Sequence, residues 1–195
     1  MNPSYDVGSP AQPASEVPHT HSMDHLVALC VAGDSAAKHA LYERCKSSVY
    51  GLMVRMVGRQ DADDLTQQAF LQMFRKLGQF NGQSKLETWL FRIALNEALQ
   101  YLRKQKRQTT APFVLEPVTV DDDLLIKSEE SQLVEVALER IDPELRAVFL
   151  LKEQQGCSYR DIAESLGIPE GTVGSRLNRA RRELRQELTK LGYLH

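Results

Sequence analysis

The sequence predicts an all-α protein built from two small helical domains that are joined by a flexible linker. Aromatic residues make up only 7% of the 195 residues, while residues that favour helices are frequent. Apolar side chains recur at intervals of three and four along most of the chain. Between two such stretches lies a segment with prolines and an acidic run. Together these observations favour helix on helix over any sheet.

The net charge of −2 is an average over segments of opposite sign. Residues 100–107 carry four basic residues and no acidic residue, whereas residues 116–135 carry seven acidic residues and one lysine. The last helical stretch is basic again. The overall charge therefore does not exclude a nucleic-acid partner.

The three cysteines, Cys30, Cys45 and Cys157, have neither metal-ligand spacing nor an even number for pairing. They are interpreted as small buried side chains in a reducing cytosol. No signal segment opens the chain and no apolar run of about 18 residues occurs, so we expect a soluble, cytoplasmic protein without membrane insertion. No motif indicates a cofactor.

Residues 1–22 are rich in proline, serine and small polar residues and are predicted to be a disordered tail. His19, His21 and His25 lack carboxylates or thiols at matching spacing, which argues against a metal site. Two helices are expected between Met23 and Val57, divided near Gly33 and followed by a turn at 58–60.

The next helix is predicted over Asp61–Leu77. Its apolar stripe faces a core, and aspartates crowd its first turn, where the helix dipole favours them. The opposite side is polar and includes Asp64, Gln67 and Gln68. Without a third ligand or a histidine, the aspartates do not make a catalytic or metal site, so this face is interpreted as a docking surface for a protein partner.

After a loop over 78–87, a helix is predicted from about Leu86 to Arg107. Trp89 lies beside Asn96 and Arg103, a combination that suits unstacked bases and a phosphate backbone. The alternative is that Trp89 and Phe91 belong to the core, and periodicity does not decide between the two.

Residues 108–129 are predicted to be the linker. A helix follows over 129–140, with Leu133, Val136, Ala137 and Ile141 facing inward. Asp142 then caps another helix that has Pro143 in its first position.

The stretch Ser158–Arg182 predicts a helix-turn-helix. Ser158 and Asp161 form a capping box, and Gly167 and Pro169 end the first helix. The second helix starts near Glu170 with Val173, Leu177 and Ala180 inward. Its other faces present side chains that bind bases and phosphates in a DNA major groove. These residues are Ser175, Arg176, Asn178, Arg179, Arg181 and Arg182. A solvated basic helix in an ordinary bundle is the alternative.

Two segments resemble one family in order and spacing. DADDLTQQAF at 61–70, FNGQS at 80–84, TWLFRIALN at 88–96 and LR at 102–103 resemble region 2 of bacterial RNA polymerase sigma factors of the sigma-70 family, extracytoplasmic-function (ECF) group. LERIDPELRAVFLL at 138–151, followed by the helix-turn-helix, resembles region 4 of the same group. The resemblance implies domains at 23–107 and 130–195.

The resemblance implies partners and residue roles. The protein is expected to bind core RNA polymerase, at the clamp of the largest catalytic subunit and the flap of the second-largest, and to bind promoter DNA and an anti-sigma factor. It is expected to have no enzymatic activity alone. The implied polymerase contacts are Asp61, Asp64, Gln67 and Gln68. The implied contacts for recognising and melting the −10 element are Asn81, Ser84, Trp89, Asn96, Arg103 and Arg107. The implied −35 contacts are Thr172, Ser175, Arg176, Asn178, Arg179 and Arg182.

The chain departs from the family pattern at Gln68, Gln100 and Gly174. Gly174 stands where a basic residue is common, so a DNA contact is expected to be missing there. Two other functions are considered: a stand-alone helix-turn-helix regulator that binds palindromic DNA, and a nuclease that uses the aspartates at 61–64. The first has no need of the segment 61–103, and the second lacks converging ligands.

Overall fold

The computed structural model describes residues 23–108 and 129–193. Within these ranges the chain forms eight α-helices and one short 3₁₀ helix, with no strand, which confirms the all-α prediction. The α-helices are α1 Met23–Val31, α2 Ser35–Val57, α3 Arg59–Lys76, α4 Leu86–Gln108, α5 Glu129–Arg140, α6 Pro143–Glu153, α7 Tyr159–Leu166 and α8 Glu170–Lys190, and the 3₁₀ helix is Leu77–Gln79. The predicted tail and all but the end residues of the predicted linker lie outside the described residues.

Helices α2, α3 and α4 form a bundle, with α1 packed on α2. Asp34 caps α2 by accepting a hydrogen bond from the Ala37 amide at 2.7 Å. The turn between α2 and α3 is shorter than predicted. Gly58, at φ 84°, redirects the chain alone, so α3 starts at Arg59 rather than at Asp61.

Helices α5 to α8 form the second half of the molecule. Asp142 accepts hydrogen bonds from the amides of Glu144 and Leu145 and has Pro143 in the first position of α6, as predicted. The predicted helix-turn-helix is confirmed: Ser158 and Asp161 form the capping box of α7, and Gly167 closes it at φ 63°. Helix α8 begins at Glu170 and buries Val173, Leu177 and Ala180.

One prediction for α5 was wrong. Val136 was expected to face inward, but it is 38% exposed, and Leu138 is buried instead at 1% exposure. The apolar stripe of α5 therefore lies along Ala137, Leu138 and Ile141.

The two halves share one continuous apolar core. Helix α5 packs on α2, while α6 and α7 pack on α4. The buried Arg146 joins the halves, because its guanidinium donates to the Met56 carbonyl at the end of α2 and to the Glu139 and Ile141 carbonyls at the end of α5. Carbonyls at the end of a helix lack helical partners and carry its partial negative charge, so a cation satisfies them well.

Candidate nucleic-acid interface

Helix α8 is the second helix of the helix-turn-helix, and its outward faces carry every predicted −35 contact. Ser175, Asn178, Arg179 and Arg182 are exposed, while Thr172 and Arg176 are half-buried. Ser175 donates its hydroxyl to the Thr172 carbonyl at 2.9 Å, a bond within the first turns of the helix. The geometry brings these side chains onto one continuous polar surface.

Three arginines of α8 are paired with carboxylates. Arg176 lies 2.9 Å from Glu144 of α6, Arg179 lies 2.7 Å from Glu183 one turn on, and Arg181 binds Glu153.

Asn178 and Arg182, elsewhere on this surface, have no carboxylate partner. Within the described residues, the side chains of Asn178 and Arg182 make no hydrogen bond or ion pair. Binding DNA there replaces no internal contact. Amide side chains such as that of Asn178 pair with adenine edges in other proteins, and guanidinium groups such as that of Arg182 bind phosphates or guanines.

Gly174 lies beside the ring of Tyr159. A Cβ at Gly174 would meet the Tyr159 Cε2 atom at 3.5 Å, which is ordinary van der Waals contact. The glycine is therefore not required by lack of space. Tyr159 itself is 40% exposed and lies under the Lys152 ammonium, 5.5 Å from its ring centre.

Helix α4 carries a second polar surface. Asn96, Arg103 and Arg107 are all exposed and lie seven and four residues apart, so they share one side of the helix. Arg103 pairs with Glu144 at 3.1 Å. The same carboxylate thus binds one arginine from each of the two predicted DNA surfaces.

Trp89 and Phe91 are in the core, which confirms the alternative that periodicity left open. Trp89 is 9% exposed and Phe91 is 5% exposed. The Trp89 ring packs at 5.4 Å, centre to centre, against Phe80 of the preceding loop. The Trp89 ring therefore presents little of its surface to solvent in this structure.

The other two predicted −10 residues lie in that loop. Asn81 is exposed, and its side-chain oxygen accepts a hydrogen bond from the Gln83 amide at 3.2 Å. Ser84 is half-buried. The loop therefore holds Asn81 in a fixed turn next to the Phe80 and Trp89 pair.

The predicted polymerase face of α3 presents Asp64, Gln67 and Gln68 to solvent. Asp61 is half-buried and differs from the other three. Burial and a hydrogen bond to the Asp61 carboxylate raise the pKa of Tyr101 on α4. The structure therefore gives Asp61 a contact between helices in addition to its place on this face.

Sequence reasoning missed two residues, Arg146 and Glu144. Arg146 occurs in the apolar run LRAVFLL, and a charged residue on the inward side of an amphipathic helix was the available signal. Glu144 gave no signal, because an acidic residue in the first turn of a helix is ordinary.

The cysteines and the potential metal ligands were also considered as reactive groups. All three cysteines are buried, and burial is the main cause that raises the pKa of Cys45 to about 11. No group of His, Cys, Asp or Glu within the described residues is arranged to hold a metal ion. In the same part of the chain, no helix is long and apolar enough to cross a membrane.

One chain thus carries polar surfaces on α4 and on the second helix of a helix-turn-helix, a motif typical of DNA-binding proteins. Comparison with known families makes this specific: residues 41–108 match Sigma-70 region 2, and residues 131–184 match Sigma-70, region 4. The chain belongs to the sigma-70 family of RNA polymerase sigma factors, in its ECF group. It is therefore a promoter-recognition subunit of RNA polymerase rather than a stand-alone helix-turn-helix regulator.

Relatives of known function cover most of the chain. The ECF RNA polymerase sigma-E factor of Haemophilus influenzae is 32% identical over 85% of this chain and 95% of its own length. The ECF RNA polymerase sigma factor SigM of Mycobacterium tuberculosis is 38% identical over 91% of this chain and 88% of its own.

Two solved structures have the same fold. The sigma factor RpoE in complex with the anti-sigma factor NepR, from Bartonella quintana, has a TM-score of 0.66 and 27% identity, covering 77% of this chain and 96% of that one. CnrH in complex with the cytosolic domain of CnrY has a TM-score of 0.60 and 24% identity, covering 85% and 96%. The second likeness concerns the fold alone.

Proposed function

We propose that this sigma factor divides its work between its two halves, with residues 23–107 binding core RNA polymerase and opening the −10 element and residues 130–195 reading the −35 element. Residues 108–129 link them. The observation that carries this proposal is the pair of basic helical surfaces, on α4 and on α8, in one chain. A protein with a single operator site has no need of both.

The exposed face of α3 is the proposed contact with the polymerase clamp. Asp64, Gln67 and Gln68 offer acceptors and donors without internal partners to displace, and Asp61 completes the face at its N-terminal end. The helix-turn-helix half would bind the flap of the second-largest subunit. A Gln67→Arg, Gln68→Arg double variant should elute apart from core polymerase in size-exclusion chromatography.

The matched control adds the same charge elsewhere. Ser47 and Ser48 are exposed on α2, a different helix from the one that carries the proposed face. The Ser47→Arg, Ser48→Arg variant should still co-elute with core polymerase. Equal loss in both variants would mean that added charge, and not the α3 face, weakens the complex.

The α4 surface is proposed to bind the non-template strand of the −10 element, through Asn96, Arg103 and Arg107, with Asn81, Ser84 and Trp89 near the extruded bases. Extruding a base costs a few kcal/mol, which stacking and phosphate contacts offset. Because Trp89 is covered by Phe80, base capture is proposed to follow movement of the 80–84 loop.

A comparison of promoters tests this role. Asn96→Ala should reduce transcription from a duplex promoter more than from one with a pre-opened −10 bubble. Equal losses on both templates would assign Asn96 to binding rather than to opening. The promoter itself comes from mapping transcription start sites after overexpression and aligning the sequence upstream.

The α8 surface is proposed to read the −35 element, with Asn178 and Ser175 at base edges and Arg176, Arg179, Arg182 and Thr172 at bases or phosphates. We place Arg179 at a phosphate, so Arg179→Ala should weaken binding to −35 duplexes of any sequence, because a phosphate contact is not sequence-specific. Asn178→Ala should instead reduce discrimination at one base pair by about 1–3 kcal/mol. Competition between duplexes that differ at single positions separates the two effects.

An anti-sigma factor is the proposed regulator, since RpoE of Bartonella quintana is solved in complex with one. A partner that co-purifies with the chain should also prevent its binding to core polymerase when added back. We further propose that the chain acts in the cytoplasm with polymerase and has no enzymatic activity of its own. Metal-dependent cleavage of DNA by the purified chain would overturn the last point.

A further inference from the structure

Gln100 is an exposed residue in the middle of the polar surface of α4. It lies four residues after Asn96 and three before Arg103, and an α-helix brings residues at these spacings onto one side. Asn96, Gln100, Arg103 and Arg107 therefore form one line along the helix, which we call the α4 ridge. Ala98, on the opposite side of the helix, is fully buried, so the ridge faces away from the core.

The α4 ridge changes its chemistry along its length. Asn96 and Gln100 carry neutral amides, whereas Arg103 and Arg107 carry cations. A cation attracts a phosphate whatever the sequence, while an amide presents a donor and an acceptor together, which is the pattern that a base edge offers. The two arginines therefore suit the DNA backbone, and the two amides suit the bases.

The amide of Gln100 is available for such a contact. Within the described residues, the Gln100 side chain makes no hydrogen bond or ion pair, so binding a base would displace no internal contact. Its neighbour Arg103 is instead paired with Glu144 at 3.1 Å. Gln100 is also a position at which the chain departs from the family pattern, so a role for it has to be argued from this chain itself.

The spacing of the two amides determines where each would bind along the DNA. Four residues of an α-helix rise about 6 Å. Successive base pairs of a duplex lie about 3.4 Å apart, so a contact of Gln100 would lie about two base steps from a contact of Asn96. The two amides therefore address different bases.

Gln100 is the amide that lies farther from the loop at 80–84. Trp89 is on the same side of α4 and precedes Gln100 by roughly 16 Å of helix. Since the extruded bases are proposed to lie near Trp89 and this loop, Gln100 would face DNA that is still paired. Gln side chains pair with N6 and N7 of adenine in the major groove of such a duplex.

We propose that Gln100 is a specificity-determining residue, whose amide binds an adenine in the paired, upstream part of the −10 element. Asn96 then contacts the non-template strand about two base steps closer to the extruded bases. This inference rests on the proposed binding of the −10 element by α4, and it adds a base preference at one defined place in that element.

A panel of promoters tests the preference. It carries every single substitution across the −10 element, and transcription is measured with core polymerase and the full chain. The parent should prefer adenine at one upstream position, and Gln100→Ala should reduce this preference by about 5- to 150-fold while the other positions keep theirs. Unchanged preferences, or an equal loss on every promoter, would overturn the proposal.

Gln100→Glu gives a second readout. A carboxylate accepts a hydrogen bond from cytosine N4 and cannot donate to adenine N7, so the preference at that position should move from adenine towards cytosine. Gln186→Glu is the matched control, because it places the same charge on an exposed glutamine of α8, and it should keep the preferences of the parent. A preference for adenine that persists in Gln100→Glu would contradict the contact.

Failure of the proposed function gives a different result on the same panel. If α4 does not bind the −10 element, Asn96→Ala and Arg107→Ala should transcribe every promoter as the parent does. If only the inference about Gln100 fails, those two variants should lose transcription while Gln100→Ala keeps the base preferences of the parent.

Discussion

Replacing Arg146 with methionine tests whether the two halves fold as one unit. Arg146 is 5% exposed and donates to the carbonyls of Met56 at 2.5 Å, Glu139 at 2.6 Å and Ile141 at 3.1 Å. Methionine has a similar length and suits the apolar surroundings, but it donates no hydrogen bond. Three carbonyls at two helix ends, two of them in buried hydrogen bonds, would lose their donor.

The expected loss in the free energy of unfolding of Arg146→Met is the difference between two opposing effects. Hydrogen bonds that involve a charged group contribute about 1.5–3 kcal/mol each, so three contribute about 5–9 kcal/mol. Against this, burial lowers the pKa of Arg146 to about 10, an effect of about 3 kcal/mol against the charged form. The Nε atom also lacks a partner. We expect Arg146→Met to lower the free energy of unfolding by about 2–6 kcal/mol.

Urea denaturation measures this cost. Trp89, the single tryptophan, lies in the first half, so its fluorescence reports that half while Arg146 lies in the second. With a urea slope of about 2 kcal/mol/M, the fluorescence midpoint should fall by about 1–3 M. Arg146→Lys should give an intermediate midpoint, because lysine keeps the charge without the planar fork.

The matched control is Arg160→Met, which removes an exposed pair with Glu164 on α7 and should change stability by less than about 1 kcal/mol. An Arg146→Met midpoint equal to that of the control would refute the reasoning. So would a wild-type protein whose fluorescence and circular dichroism unfold at different urea concentrations, because the halves would then be independent.

The remaining predictions concern single positions. Burial raises the pKa of Glu139, so as the pH falls the folded state binds this proton at a higher pH than the unfolded state does. The contribution of Glu139 to the free energy of unfolding therefore decreases as the pH rises above about 4.5. Glu139→Gln should stabilise the protein at pH 7, and thermal melts should show this gain lost below pH 4. Trp89→Ala should cost about 3–5 kcal/mol in urea denaturation, so Trp89→Phe is the better variant for promoter-opening assays. Gly174→Ala should stabilise α8 by about 0.5–1 kcal/mol in thermal melts, since its Cβ meets Tyr159 at ordinary contact distance. Ser158→Ala should cost about 1 kcal/mol through loss of the α7 cap, and a melting temperature equal to that of the parent would contradict it.

The sequence predicts local structure well here because the helix ends carry strong signals. Ser158 with Asp161, and Gly167 with Pro169, determine the helix-turn-helix from contacts within three or four residues, and the structure has each of them. The α3 start was wrong by two residues because a single glycine at positive φ makes a tighter turn than the run 58–60 indicates.

Long-range contacts are where prediction from sequence stops. Arg146 reaches Met56 over 90 positions and Arg103 reaches Glu144 over 41, and no periodicity relates such pairs. The burial of Trp89 was also undecided, since a tryptophan beside polar residues suits either a core or a base-stacking site. In this structure Trp89 is buried in the core and its ring packs against Phe80, an apolar residue in the preceding turn.

The pairing of the α8 arginines changes how the proposed −35 surface should be understood. A basic helix seen in the sequence alone implies strong attraction for phosphate, but Arg176, Arg179 and Arg181 each already have a carboxylate partner. When a phosphate replaces the carboxylate, the free energy of binding gains only the difference between the two ion pairs. Each of these arginines therefore adds less affinity for DNA than an unpaired arginine does. Unpaired side chains such as Asn178 then contribute proportionally more to the choice of sequence. Weak intrinsic affinity and undiminished base readout suit a subunit that should occupy promoters only when polymerase contributes further contacts.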